Sequence, residues 1–400
     1  MKNIKLIILA GIVVLAFLFR FLVAGTDVVY PDSCLYLSYA KSIANGKFTF
    51  NFLEGREVIL PPLFPLFTAI FSFFVKGFEL SGILVSAIAG ALLIVPVYYI
   101  TKTLFNEKAA WISVVLVFIS PVLIHWSGAM LTESVFITAF IYAAAIGLYS
   151  IGNSRRVYLG LCGAMVGLAY MSRVVGLILI PIIGLWIIYH VMSTGKLGDY
   201  GKIVKNIIIS GVIFILGFII ITAPYLVHIR SHYGNWSLAG GYGSISGMVA
   251  NEGASNAKDW EVLGSKKPVE ESFAAKFIRK MSTNLGDYSS ALWKMLYFTA
   301  IFAVLGIFVR WKVMYVVSFI LIYFIAFLTM PSTPMMDERI RYLSPVFPLF
   351  LVMASGGIAR INDRVKWKGI HQAVIPVAVI VVLLSSIYQY AMFPVNLNNV

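Results

Sequence analysis

Residues 206–226 read NIIISGVIFILGFIIITAPYL, a run of 21 residues without a charged side chain. A transmembrane helix needs about 20 apolar residues, so this stretch is long enough to cross a bilayer. Ten similar runs lie at 6–24, 80–100, 109–126, 131–151, 157–172, 174–192, 291–309, 313–330, 342–359 and 372–393. The sequence therefore predicts an all-α integral membrane protein, a polytopic bundle of about eleven transmembrane helices.

The composition supports the same class. Hydrophobic residues make up 60% of the 400 residues and charged residues 12%, against roughly 45–50% and about 25% in soluble domains. A water-soluble globule could not bury that much apolar surface. Cys34 and Cys162 lie in unlike settings and give no disulfide framework. We predict a single polytopic domain over residues 1–400.

The net charge of +14 follows from topology rather than from nucleic-acid binding. If the N-terminus is cytoplasmic, every inside loop is basic, as the positive-inside rule demands. The acids of these loops are only Glu107, Asp199 and Asp363, against the following bases: Lys2, Lys5, Lys102, Lys108, Arg155, Arg156, Lys196, Lys202, Lys205, Arg310, Lys312, Arg360, Arg364, Lys366 and Lys368. The expected location is the cell membrane, with the N-terminus inside.

Two extracytoplasmic segments are expected, at 25–81 and 227–290. The first contains an apolar run, 63–75, that follows Pro61-Pro62 and is short for a crossing. We interpret it as an interfacial helix, because counting it as a span would reverse every later loop and remove the charge asymmetry. The second has an amphipathic pattern over 270–285, typical of a helix on the membrane surface.

The first apolar run could also be a signal peptide, since Val23-Ala24-Gly25 resembles a cleavage site. The run is longer than the 7–15 residues of a typical signal-peptide core. An uncleaved first span is therefore the favoured interpretation.

Several ionisable residues lie at the predicted outer ends of spans. Asp32 precedes a helical stretch and either caps it or serves a site. Glu133 lies just inside a span, where an ionisable group usually has a function and a partner, although it too could cap a helix. Arg173 interrupts a long uncharged stretch and is either snorkelling or binding an anion.

A further charged stretch, Asp337-Glu338-Arg339-Ile340-Arg341-Tyr342, opens a span at the outer face. Arginines there oppose the positive-inside trend and need anionic partners, either acids of this protein or a phosphate. With Asp32 and Glu133 they indicate a site for an anionic lipid headgroup. Cations would neutralise a leaving phosphate, and a carboxylate would deprotonate an attacking hydroxyl.

His228 and His232 have the i, i+4 spacing that can hold a metal ion on a helix, but they equally suit polar anchors at the interface. Arg230 between them is a candidate for binding an anionic substrate. No Gly-rich phosphate loop is present, which argues against an ATP-driven transporter.

An ordered set of motifs resembles one family, the C-type membrane glycosyltransferases that use lipid-phosphate sugars. Within it, the chain is similar to the branch of the dolichyl-phosphate-mannose protein mannosyltransferases and the aminoarabinose transferases. The motifs are Pro31-Asp32 before residues 35–40, Leu60-Pro61-Pro62-Leu63-Phe64-Pro65-Leu66, Leu131-Thr132-Glu133, Ser172-Arg173 before residues 177–181, Ala223-Pro224-Tyr225-Leu226, and Arg341-Tyr342-Leu343-Ser344-Pro345.

The resemblance implies a bundle with interfacial helices in its first outer loop. It also implies roles for four positions: Asp32 as the catalytic base, Glu133 as the second acidic position, Arg173 near the lipid phosphate, and Arg341-Tyr342 at the cavity edge. It favours inversion at the sugar.

The chain departs from the family pattern at two places. Ser33 stands where many members have a second acid, and Ile59-Leu60 replace an acidic-basic pair before the prolines. Arg56 and Glu57 lie slightly earlier. They are the candidates for phosphate binding and for a metal, respectively, and a divalent metal is left open.

The leading hypothesis is an enzyme that moves a sugar from a polyprenyl- or dolichyl-phosphate donor to a hydroxyl of a protein, lipid or glycan outside the cytoplasm. The alternative is a lipid transporter or flippase. Such a protein usually has polar or broken helices at the midplane and an inverted repeat. In this sequence the charges gather at one face, which favours the enzyme.

Overall fold

The computed structural model describes residues 2–24, 30–51, 57–153, 155–195, 199–238, 273–308, 311–329, 336–365 and 368–392. Over these residues the chain is mostly α-helical, as predicted. The helices are α1 (Lys2–Val23), α2 (Pro31–Ala44), α3 (Leu63–Ser72), α4 (Phe78–Leu92), α5 (Ile94–Leu104), α6 (Glu107–Ile119), α7 (Pro121–Gly128), α8 (Glu133–Asn153), α9 (Arg156–Ser172), α10 (Leu179–Thr194), α11 (Tyr200–Tyr233), α12 (Phe273–Leu296), α13 (Thr299–Ile307), α14 (Met314–Thr329), α15 (Met336–Leu343), α16 (Phe347–Arg364) and α17 (Lys368–Met392).

Six helices in the described ranges are long and apolar enough to cross a membrane, or up to eight if each bent helix pair is one span. The remaining predicted spans coincide with shorter apolar helices, namely α9, α14 and the Gln372–Ser385 part of α17. Each predicted span thus overlaps an apolar helix. The total of eleven crossings stays a prediction.

A break between α6 and α7 bends that span by 53°. Pro121 has no N–H, so the carbonyl of Val117, four residues earlier, loses its helical donor. Arg20, fully buried on α1, donates to this carbonyl from Nη2 at 2.9 Å and to Ser127 Oγ from Nε at 3.3 Å. The sequence analysis did not single out Arg20, although it is the one charged residue inside the first predicted span.

The region after 270 differs from the expectation of a surface helix at 270–285 and a separate span at 291–309. One helix, α12, runs to Leu296, and α13 follows at an angle of 99°. The break lies at Tyr297, whose φ is +39°. Buried Asn284 donates to Leu328 O at 2.9 Å, so α12 is packed against α14 at the position where the sequence predicted its end.

The described residues between α1 and α4 form a layer against the bundle. A short antiparallel ribbon, β1 (Phe50–Asn51) and β2 (Glu57–Val58), follows α2. Phe64 of α3 is fully buried, whereas Phe73 and Phe74 just after α3 are 72% and 81% exposed. A helix with one buried face and exposed phenylalanines at its end is what the predicted interfacial position of 63–75 requires.

Hydrogen bonds tie this layer to the end of α11. The Tyr233 hydroxyl accepts from Ile59 N at 3.2 Å, and His228 Nε2 lies 3.1 Å from Phe48 O. Tyr39 also donates to Phe48 O at 3.0 Å. The layer is therefore held over the bundle by contacts far apart in sequence.

Small residues let the central helices approach closely. A Cβ on Gly163 of α9 would lie 1.9 Å from the carbonyl oxygen of Phe214 on α11, and one on Gly217 would lie 2.0 Å from Gly160 O. Only glycine fits at these crossings, as is common where membrane helices pack by close backbone contact.

Candidate active site

A buried carboxylate organises the polar end of the bundle. Glu133, the first residue of α8, is 1% exposed. Its Oε1 accepts from Arg173 Nη1 at 2.5 Å and from Arg341 Nε. A buried charge is tolerated when paired and hydrogen-bonded, and two guanidinium groups meet that need here.

Arg341 also reaches a second, more accessible carboxylate. Its Nη1 lies 2.7 Å from Asp32 Oδ2. The Asp32 side chain is 41% exposed, against 11% for Arg341. One guanidinium thus joins an open carboxylate to the buried one, using the fork of donors that arginine provides.

Four separate elements bring these side chains together. Asp32 is the second residue of α2, directly after Pro31 at the helix start. Arg173 is extended, with φ −151° and ψ 135°, between α9 and a 3-10 turn over Val174–Ile178. Arg341 belongs to the short helix α15. We call the set Asp32, Glu133, Arg173 and Arg341 the ion network.

Aromatic side chains complete the site. The guanidinium carbon of Arg173 lies 5.6 Å from the ring centroid of Tyr342, a cation–π geometry. The buried Tyr323 donates from its hydroxyl to Tyr342 O at 2.9 Å and so holds that part of α15. The predicted pair Arg341-Tyr342 therefore belongs to the site.

The charges of the ion network sum to zero, but one acceptor is left over. Glu133 Oε2 is buried and has no hydrogen-bond partner among the described residues. An unpaired buried acceptor is costly, so a donor group on a bound molecule would gain by meeting it.

A tyrosine–histidine pair beside Asp32 was missed by the sequence analysis. The Tyr30 hydroxyl lies 2.6 Å from His125 Nε2, and the rings meet edge to face at 6.0 Å. His125 belongs to α7, so the pair anchors the chain two residues before Asp32. No local pattern marks it, because the two residues are far apart in sequence.

Other predicted site residues have different contacts. Arg339 pairs with Asp287 of α12 at 2.9 Å, and Glu338 lies partly buried on the same helix α15. Arg230 stacks on Trp236 at 4.8 Å. Arg56 lies outside the described residues. Glu57 is placed in β2, but its side chain is not described.

The metal candidates do not converge in the part of the chain that is described. His228 lies against Phe48 O, and the rings of His228 and His232 are 6.4 Å apart. No group of three or more His, Cys, Asp or Glu in the described ranges is placed to hold a metal ion. The two carboxylates of the ion network are paired with arginines instead.

Several solved structures share this fold. The oligosaccharyltransferase of Archaeoglobus fulgidus, in a complex with Zn and sulfate, superposes with a TM-score of 0.64 and 16% identity over 94% of this chain and 52% of that chain. The oligosaccharyltransferase AglB of the same organism, in complex with an inhibitory peptide and a dolichol-phosphate, superposes with a TM-score of 0.58 and 14% identity. The match covers 96% of this chain and 55% of that chain. ArnT from Cupriavidus metallidurans, bound to undecaprenyl phosphate, superposes with a TM-score of 0.54 and 16% identity. The match covers 99% of this chain and 67% of that chain.

The fold is therefore that of the C-type membrane glycosyltransferases, and the protein is a multi-pass membrane protein. Within that class, residues 60–228 match the family model of the dolichyl-phosphate-mannose-protein mannosyltransferases. The comparison with curated proteins gives no match. The chain spans about half the length of the oligosaccharyltransferase structures. The fold that the motif resemblance implies is confirmed by these structures.

Proposed function

We propose that the protein transfers a sugar from a polyprenyl- or dolichyl-phosphate donor to an acceptor hydroxyl on the extracytoplasmic side of the membrane. The observation that carries the proposal is Arg341, which joins the open Asp32 to the buried Glu133. The dolichol-phosphate and undecaprenyl phosphate named in structures of this fold support a lipid-phosphate donor.

The proposed orientation comes from charge. α8 and α16 both run away from the ion network, and their far ends lie near Arg155 and Arg364. The basic loops therefore gather at the end opposite Glu133. By the positive-inside rule that end is cytoplasmic, which puts the N-terminus inside and the ion network outside.

Asp32 is proposed as the general base, because its carboxylate is partly open while Glu133 is enclosed. The acceptor oxygen would attack the anomeric carbon as Asp32 takes its proton. The bond from that carbon to the phosphate oxygen would break, and the electron pair would leave with the polyprenyl phosphate. A single displacement of this kind inverts the anomeric centre.

Arg173 and Arg341 are proposed to neutralise the leaving phosphate. Charge that develops on a leaving group is stabilised by cations already held in place. Glu133 would hold both guanidinium groups in place from below the open part of the site. In this scheme Glu133 positions the cations, and Asp32 moves the proton.

Among the described residues, the side chains at the ion network do not form a divalent metal site. Asp32 and Glu133 share Arg341, and no third acid or imidazole among the described residues joins them. Zn accompanies one structure of this fold, but the proposed transfer step uses the two arginines.

A transfer assay with purified protein tests the proposal. Membranes or detergent solutions would receive labelled polyprenyl-phosphate sugars, and the labelled product would identify the acceptor. Asp32→Asn should abolish most transfer while donor binding survives. Asp287→Asn is the matched control, since that carboxylate also pairs with an arginine on α15. Unaffected transfer by Asp32→Asn would refute the base assignment, and lipid movement without any transfer would favour a flippase.

A further inference from the structure

A second polar recess lies at the end of the bundle opposite the ion network. It is a cavity of about 540 Å³ between the end of α8, the start of α9, the end of α10 and the first turns of α11. The 21 residues of α8 separate it from Glu133, roughly 30 Å at about 1.5 Å per residue. That distance matches the hydrocarbon thickness of a bilayer. The cavity and the ion network therefore belong to opposite interfaces.

The rim of this cavity carries a net positive charge. Arg155, Arg156 and Lys202 line it and are exposed. Lys202 is paired with Asp199 at 2.6 Å, which leaves the two arginines in excess. Arg156 Nη2 donates to Asn206 Oδ1 of α11 at 3.0 Å, so its guanidinium is turned toward the cavity wall formed by α11.

The floor of the cavity is partly apolar, with buried Ser150 and Ser210 beside aliphatic side chains. Leu159 and Ile187 are buried, and Ile203 is half-buried. A small soluble anion would use the rim and leave this floor empty. A purely apolar ligand would fill the floor and leave the guanidinium groups unused. A molecule with both an anionic phosphate and an acyl chain uses both parts.

We propose that this cavity binds one anionic phospholipid of the adjacent leaflet. The phosphate lies between Arg155 and Arg156, and an acyl chain covers Leu159 and Ile187. Guanidinium groups bind phosphate with paired hydrogen bonds, and basic pockets between transmembrane helices suit lipid headgroups. Because the site combines residues of four helices, bound lipid stabilises the folded bundle.

Native mass spectrometry of the purified full chain tests the proposal. Protein in detergent is supplied with phosphatidylglycerol, phosphatidylcholine or glycerol 3-phosphate, and retained ligands and the unfolding temperature are measured. Wild type should retain one phosphatidylglycerol and unfold at a higher temperature with it. The double variant Arg155→Gln, Arg156→Gln should bind this lipid at least about tenfold more weakly, tenfold being the effect of losing one charge-assisted contact.

Controls separate this site from a general attraction to basic surface. Lys312→Gln with Arg364→Gln removes the same charge at the same end of the bundle, and both side chains are exposed; lipid retention should not change. Ile203→Trp fills the floor and should weaken lipid binding without touching the rim. Equal retention of phosphatidylcholine, protection by glycerol 3-phosphate alone, or unchanged binding in the arginine double variant would each overturn the proposal.

Discussion

Arg341 Nη1 lies 2.7 Å from Asp32 Oδ2, and the same guanidinium donates through Nε to Glu133. The two carboxylates come from α2 and α8, yet they share one cation. A change at either carboxylate therefore alters the environment of the other. This linkage makes the ion network testable as a unit.

Asp32 and Glu133 should show coupled effects on transfer. Asp32→Asn removes the proposed base, and Glu133→Gln releases the arginines that the buried carboxylate holds. Residues that act as a unit give non-additive losses. The double variant should therefore be scarcely slower than the poorer single variant in a purified transfer assay. Multiplicative losses would mean two independent sites.

Arg341→Ala should destabilise the fold as well as slow transfer. It leaves Asp32 without its cation and Glu133 with Arg173 alone, and removing one partner of a buried pair costs about 3 kcal/mol or more. Denaturant unfolding in detergent measures the loss. Arg341→Lys should restore only part of it, because one ammonium cannot bridge both carboxylates as the guanidinium does.

The matched control for Arg341 is its neighbour on α15. Arg339 pairs with Asp287, which is 30% exposed. Arg339 is 13% exposed and pairs with this one partly open carboxylate, whereas Arg341 bridges two acids, one of them buried. Arg339→Ala should therefore cost less stability than Arg341→Ala. An Arg341→Ala protein that unfolds and turns over like Arg339→Ala would contradict the bridging role.

Arg173→Ala should weaken binding of the lipid phosphate more than it harms folding. Glu133 keeps Arg341 when Arg173 is lost, whereas a phosphate loses a charge-assisted contact of about 1.5–3 kcal/mol, or roughly 10- to 100-fold in affinity. Binding of undecaprenyl phosphate to the purified variant measures this. Normal binding by a variant that fails to accumulate in the membrane would make Arg173 a structural residue.

The proposed orientation has a direct test by tagging. A tag inserted within Gly195–Lys202 should be protected from protease in sealed cells, because this basic loop is expected on the cytoplasmic side. A tag within Asn251–Lys258 should be accessible from outside. Outside cleavage of the first tag would reject the eleven-span topology.

Local pattern predicted the class of the protein because membrane insertion depends on local properties. Apolar runs such as 206–226 must satisfy their backbone within one helix, and loop charges bias orientation without tertiary contacts. The same logic marked Asp32, Glu133, Arg173 and Arg341, since an ionisable group beside an apolar span needs a partner. The same reasoning also selected Arg56, Glu57, Arg230, His228 and His232. Among the described residues, no metal-binding cluster forms at these positions.

Hydrophobic runs and charge placement are local quantities, and they suffice to predict a helical membrane bundle with acids and arginines at one end. Which of these charges pair with each other depends on how the helices pack. Arg341 binds Glu133 across 208 residues of chain, while Arg339, two positions away, binds Asp287. The tertiary structure likewise placed Arg20 on the carbonyl freed by Pro121 and moved the break after α12 to Tyr297. Such pairings depend on how whole helices pack, and no periodicity within one segment carries that information.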